Sequence, residues 1–116
     1  MITLTANSMV YAGYVVSLSL AADARVELTD WNSYQSVSNV LGIATNSGDE
    51  GIPIIIQTDG IYQNTSWNLQ RGYPVFAFSM GTITQDVLPK NSIQVGKAIS
   101  SNQILIRISE FIMVSQ

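Results

Sequence analysis

The charged chemistry open to this chain is narrow: eight carboxylates, five basic side chains, no histidine and no cysteine. The carboxylates are Asp23, Glu27, Asp30, Asp49, Glu50, Asp59, Asp86 and Glu110. Two of them flanking a glycosidic bond would make a general acid and a nucleophile or base. Each one, however, falls in a turn or at a strand end, where solvation and local hydrogen bonding account for it. Asp49 and Glu50 offer adjacent oxygens to a calcium ion but lack the spaced ligand loop that holds one. The missing histidine excludes Ser-His-Asp triads and histidine-ligated zinc, and the missing cysteine excludes disulfides and thiolate sites. Gly48 and Gly51 have neither the Lys-Ser/Thr pair nor the following helix that a phosphate loop requires. Lys90 and Lys97 stand apart from any sequence neighbour that would turn either into a base. The reading is a non-enzymatic protein with no catalytic residues, no cofactor and no metal.

Charge narrows the partners as well. Charged residues make up 11% of the chain, against about 25% in an ordinary domain. With mean hydropathy +0.24, such a surface is covered by uncharged polar groups or buried against other chains, which points to an obligate oligomer or a surface-bound subunit. The net charge is −3, and Arg25, Arg71, Lys90, Lys97 and Arg107 are scattered, so there is no counterion-releasing cluster for nucleic acid and no basic patch for an anionic membrane. Met1–Thr5 has no basic n-region or long apolar run of a signal peptide. No stretch approaches the roughly 18 consecutive apolar residues of a membrane-spanning helix.

Three aromatics have another use. Trp31 and Tyr34 sit in a polar stretch, and Trp67 lies in Thr65-Ser66-Trp67-Asn68-Leu69. Exposed Trp and Tyr stack on sugars or anchor interfaces. Trp67, with Leu69 beneath it, reads as core closing one end of a barrel; Trp31 and Tyr34 read as intermolecular contacts. Asn64-Thr65-Ser66 matches a glycosylation sequon.

The strands that carry these residues are short and rich in β-formers, punctuated by Gly, Asn, Asp, Ser and Pro. The predicted strands are Ile2–Thr5, Tyr14–Leu20, Arg25–Leu28, Val40–Ala44, Ile52–Thr58, Gly60–Tyr62, Val75–Phe78, Thr82–Ile83, Ile93–Ile99 and Ile104–Phe111. In Ile104–Ile108 the even positions face the core and Arg107 faces solvent. Ile54-Ile55-Ile56 is apolar throughout and is expected to be buried on both faces. Asn46–Gly51, Asp59-Gly60 and Ser100–Asn102 supply turns. The best helix candidate is Trp31–Ser38.

The order of these pieces repeats. Gly13-Tyr14 opening an apolar strand, then Leu41-Gly42-Ile43-Ala44, then Pro53–Ile56, is followed by Gly72-Tyr73 opening an apolar strand, then Val95-Gly96-Lys97-Ala98, then Ile104–Ile108. One repetition in a short chain implies an all-β fold: a single small barrel or sandwich over residues 1–116, built from two similar β-units, with little helix. The main length difference between the halves is an inserted loop at 29–39.

These residues resemble the small decoration, or cement, proteins of tailed-phage heads. The likeness rests on Val10-Tyr11-Ala12-Gly13 before an apolar strand, Leu41-Gly42-Ile43-Ala44, the Gly51 strand ending Thr58-Asp59-Gly60-Ile61, Trp67 with Gly72 and Val75, Gly81-Thr82-Ile83-Thr84-Gln85, Val95-Gly96-Lys97-Ala98 and Ile104–Ile108. It spans about residues 10–108. Similar modules occur in head fibres and tail-fibre appendages. The resemblance implies a β-barrel, often a homotrimer, that binds the major capsid protein on the outside of the virion. The chain departs from that pattern in its Trp31–Ser38 insertion. Ile2, Leu4, Trp31, Tyr34, Phe111 and Met113 are the candidate partner contacts; the terminal four either add strands to neighbours or close the barrel within the chain. The competing reading is a glycan- or receptor-binding domain of a fibre, using Trp31 and Tyr34. A carboxylate enzyme working through Asp30 or Asp59 is the third.

Overall fold

Short runs of alternating apolar residues form ten strands in the computed structural model, which describes residues 1–86 and 93–108. The strands are β1 (Ile2–Ala6), β2 (Val15–Leu18), β3 (Arg25–Leu28), β4 (Val40–Ala44), β5 (Pro53–Gln57), β6 (Gly60–Gln63), β7 (Pro74–Ala77), β8 (Ile83–Thr84), β9 (Gln94–Ser100) and β10 (Gln103–Ile106). One helical turn, α1 (Tyr34–Val37), lies inside the predicted Trp31–Ser38 segment, and a 3-10 turn covers Ser79–Gly81. Every predicted strand is present, with β3 and β4 at the predicted bounds; the Phe111 end of the last predicted strand lies outside the described residues.

β1 to β5 form a closed barrel in the order β1-β3-β2-β4-β5, and β6 to β10 a second sheet in the order β6-β10-β9-β7-β8. Traced from β1 through β5, the barrel runs β1-β5-β4-β2-β3, which is the order of the second sheet element for element. The likeness extends to detail. The β2–β4 ladder slips register between Val16 and Ser17, and the β7–β9 ladder slips between Val75 and Phe76. Gly13 N–H donates to the Ala44 carbonyl (2.8 Å) and Ala44 N–H to that of Tyr14 (2.9 Å); Gly72 donates to Ala98 (2.7 Å) and Ala98 to Tyr73 (3.1 Å). Gly13 (φ +87°) and Gly72 (φ +90°) both hold the left-handed conformation that opens β2 and β7 and that costs glycine least. The all-β architecture of two similar units is thus the observed one.

The units differ in closure. A parallel pairing of β1 with β3, Thr5 opposite Arg25 and Ala6 opposite Val26, seals the barrel. Among the described residues of the second sheet, β6 and β8 are the two ends of the order and do not pair with each other.

Burial follows from this. Ala6, Val10, Val16, Val26, Ala44, Ile54 and Ile56 fill the barrel, with Leu4, Leu28 and Leu41 against them. The second core combines Val75, Ala77, Val95, Ala98, Ile104 and Ile106 with Val15 and Ile43 of the barrel's outer wall. Side chains alternate along a strand, so Val15 and Ile43 point outward where Val16 and Ala44 point in. The doubly buried strands are therefore β2 and β4. The expectation for Ile54-Ile55-Ile56 is corrected: Ile54 and Ile56 are fully buried, but Ile55 is 43% exposed, because β5 lines a part of the barrel wall that the second sheet does not cover.

The 29–39 insertion is fastened between the units. Ser17 Oγ shares a 2.7 Å hydrogen bond with Thr29 Oγ1 and donates to the Ser36 carbonyl at 2.7 Å, while Asp30 N–H donates to Ser36 Oγ at 2.8 Å. Ser33 caps α1 by accepting from Ser36 N–H at 3.2 Å, as a first-turn donor requires. Val37 is buried in the second core. Gly81 N–H donates to the Thr29 carbonyl at 2.7 Å, tying the second unit to the first.

Candidate functional site

The expected contact residues separate into three groups. Ile2 and Leu4 lie on β1 opposite Ile56 and Ile54 of β5, so this strand closes the barrel of its own chain; Leu4 packs on the barrel core while Ile2 is 40% exposed. Trp31 and Tyr34 differ in exposure. Trp31 stacks on Phe78, ring centroids 5.4 Å apart and planes 24° apart, and packs on the second core, so a large part of its ring is committed within the chain. Tyr34 is 45% exposed. Phe111 and Met113 lie outside the described residues. Trp67 is half-buried, against Tyr62 (centroids 5.6 Å) and the second core, so its reading as core holds only in part: it edges the second sheet and does not close an end of the barrel.

Exposed apolar side chains lie on the outer surface of the second sheet. Ile61 stands opposite Leu105, Leu105 opposite Lys97, and Lys97 opposite Pro74, one row across four strands. Ile61, Leu105 and nearby Ile99 are exposed. On the barrel the corresponding row is Gln57, Ile43 and Val15, and there Ile43 and Val15 are covered by the second unit. Among the described residues no three acidic groups come together as a metal site would require.

Two clefts bear on function. One of about 360 Å³ beside the insertion is lined by Leu18, Leu20, Glu27, Ser33, Gln35 and Ser36. Another, of about 240 Å³, lies at the seam of the two units, between Gly13 and Tyr14 of the first and Asn64, Ser66, Trp67, Thr82 and Ile83 of the second. Register explains the seam cleft. Tyr62 faces Ile104 as Ile2 faces Ile56, and Ile83 faces Ala77 as Val26 faces Leu18. In the barrel, β1 runs on from Ile2 to Ala6 and there meets Val26. In the second unit, β6 stops at Gln63, and the chain turns away where Leu4, Thr5 and Ala6 would continue. The seam cleft is thus the opening left where the described strands of the second unit do not close. Asn64 Oδ1 accepts from Ser66 N–H (3.0 Å) and Ser66 Oγ (2.6 Å), which turns the chain towards Trp67. A β-carbon on Gly13 would stand 2.6 Å from Asn64 Nδ2, so a side chain there would displace that amide from its place at the seam. Tyr62 also borders Gly13, and partial burial raises its phenol pKa above the ordinary value.

Sequence reasoning marks Asn64 only as a sequon and Trp67 only as core. The signal that could have found them is the polar Gln63-Asn64-Thr65-Ser66 run, standing where the first repeat has Thr3–Ala6 of its closing strand. No protein-family model, curated protein or solved structure matches this chain.

Proposed function

We propose that this chain is a non-enzymatic structural subunit of a tailed-phage virion, binding the major capsid protein on the outer capsid surface and bracing it, as a homotrimer. The observation that carries the reading is the exposed apolar row Ile61–Leu105, with Ile99 beside it, on a sheet face of a chain with so few charges. Contiguous exposed apolar surface is the mark of a protein-binding face, and a stable one buries about 800 Å² per partner. A rigid two-unit β-fold suits a subunit that transmits load and does no chemistry. The likeness of residues 10–108 to cement proteins points the same way.

The test is the copy number of the chain per purified virion, by quantitative mass spectrometry. A fixed ratio to the coat protein, in hundreds of copies, supports the capsid-lattice role; virions lacking the chain should then break at lower temperature. A few copies per particle would move it to a fibre or tail. That second reading, binding of a host glycan or receptor, rests on Tyr34, 45% exposed on the insertion; Tyr34→Ala would then abolish adsorption.

A further inference from the structure

We infer that the seam cleft is a binding site for one neutral pyranose ring, such as the terminal sugar of a glycan. The geometry is that of sugar recognition. A pyranose presents an apolar C–H face, which packs on aromatic rings, and a rim of hydroxyls, each both donor and acceptor. The cleft offers Trp67 and Tyr14 as aromatic surface and Ile83 as apolar floor, with Asn64 and Ser66 as polar groups among them. Asn64 is poised to donate. Both of its side-chain hydrogen bonds use Oδ1, and its Nδ2 rests against Gly13 as a donor with no partner among the described residues. The size is right for one ring, since drug-sized ligands occupy about 300–1,000 Å³ and this cleft has about 240 Å³. No carboxylate or basic side chain lines it, so a charged ligand would lack its counterpart. The cleft beside the insertion is larger but has no aromatic wall and holds a carboxylate, Glu27.

The inference stands independently of the capsid reading, and it differs from receptor contact through Tyr34, which is not among the residues of this cleft. It is tested on the full chain by nitrogen-15 NMR titration with the methyl β-glycosides of glucose, galactose and N-acetylglucosamine. One of these should shift the Trp67 indole N–H and the Asn64 side-chain amide saturably, with half-saturation on the order of 1 mM, as about a dozen ligand atoms allow. Asn64→Asp keeps the acceptor that holds Ser66 and removes the donor; it should weaken binding at least about tenfold. Ser66→Trp, at an exposed position on the rim, should block the cleft without touching either core. Absence of a saturable shift with all three glycosides up to about 100 mM overturns the inference. So does wild-type affinity in either variant, or a response at the Trp31 indole in place of Trp67.

Discussion

The first five strands and the last five are laid out in the same order with the same bulge, yet they solve burial differently. The barrel closes on itself through β1 and β3 and owns its interior. Among the described residues the second unit stays open, and its core is completed by Val15, Ile43 and Val37 of the first unit. One position records the difference in a single residue. Ile43 on β4 and Lys97 on β9 are equivalent by register, since Ala44 pairs with Ile56 as Ala98 pairs with Ile104. Ile43 is fully buried between the units, and Lys97 stands in the middle of the exposed outer row. The contact between the units is head-to-tail, the inner face of one on the outer wall of the other. Such a contact, repeated between chains, would run on into a filament. Lys97 stands at the place where a third unit would sit, and a charge there would oppose such stacking, as charged residues do on other exposed β surfaces.

Exchanging these two residues one at a time should have the greatest consequence. Ile43→Lys puts an unpaired ammonium into the shared core and should cost about 4 kcal/mol or more, enough to abolish a cooperative urea transition. Lys97→Ile should leave stability within about 0.5 kcal/mol but make the protein assemble beyond its wild-type oligomer, seen as a concentration-dependent increase in sedimentation coefficient over that of the wild type. A Lys97→Ile protein that sediments as the wild type does would refute the role given to that lysine.

Next in size is the pair of glycines at the crossing of the middle strands. A β-carbon at Gly42 would land on the backbone carbonyl oxygen of Gln57, and one at Gly96 on that of Leu105. Neighbouring strands cannot yield to a backbone clash without losing register, so Gly42→Ala and Gly96→Ala should each destabilise by about 3 kcal/mol, the upper end for overpacking. Chemical denaturation of both variants checks this. A clear disparity, with the open unit tolerating its alanine and the barrel not, would show that closure and not strand order makes the contact tight.

A smaller effect is expected where the units diverge most. By register Ser17 corresponds to Phe76, and only Ser17 is buried with an insertion bonded to it. Ser17→Ala leaves Thr29 Oγ1 and the Ser36 carbonyl short of a partner and should cost about 1–2 kcal/mol. Hydrogen exchange should quicken at the Val37 and Ser38 amides of the insertion while those of β9 and β10 stay protected.

The contrast between the units also explains which parts of this fold are legible in the sequence. Strand positions follow from local alternation and turn residues, and the repeat follows from Gly13-Tyr14 and Gly72-Tyr73, which mark the same backbone bend. Closure does not follow, because the β1–β3 pairing joins segments by a parallel ladder that no turn announces. Ile55 defeats a sequence reading for that reason: three isoleucines in a row cannot say which wall of a barrel is covered. Val15-Val16, doubly buried, carries no stronger local signal than Ile54-Ile55. Trp31 reads as free because its partner, Phe78, comes from the other unit. The seam cleft is out of reach for the deepest reason: it lies where β6 and β8, among the described residues, do not pair. Asn64–Ser66 and Ile83 gain their meaning only when set beside Leu4–Ala6 and Val26.

The smallest effect concerns the seam from the side of the second unit. Tyr62 on β6 is opposite Ile104, as Ile2 on β1 is opposite Ile56. Ile2 has nothing to ionise. The Tyr62 phenol does, and partial burial beside Trp67 raises its pKa above the ordinary value of 10.0. A raised folded-state pKa means that the unfolded chain releases this proton first. The stability it contributes is therefore full below about pH 10 and is lost as pH rises through the folded-state value. Tyr62→Phe removes that dependence and retains the ring against Trp67. The difference in unfolding free energy between wild type and Tyr62→Phe should be constant from about pH 7 to 9 and shift against the wild type above about pH 10. A difference that stays flat across the alkaline range would mean that the open unit leaves its tyrosine as wet as a free one, and that the seam is wider than the packing of Tyr62 on Trp67 indicates.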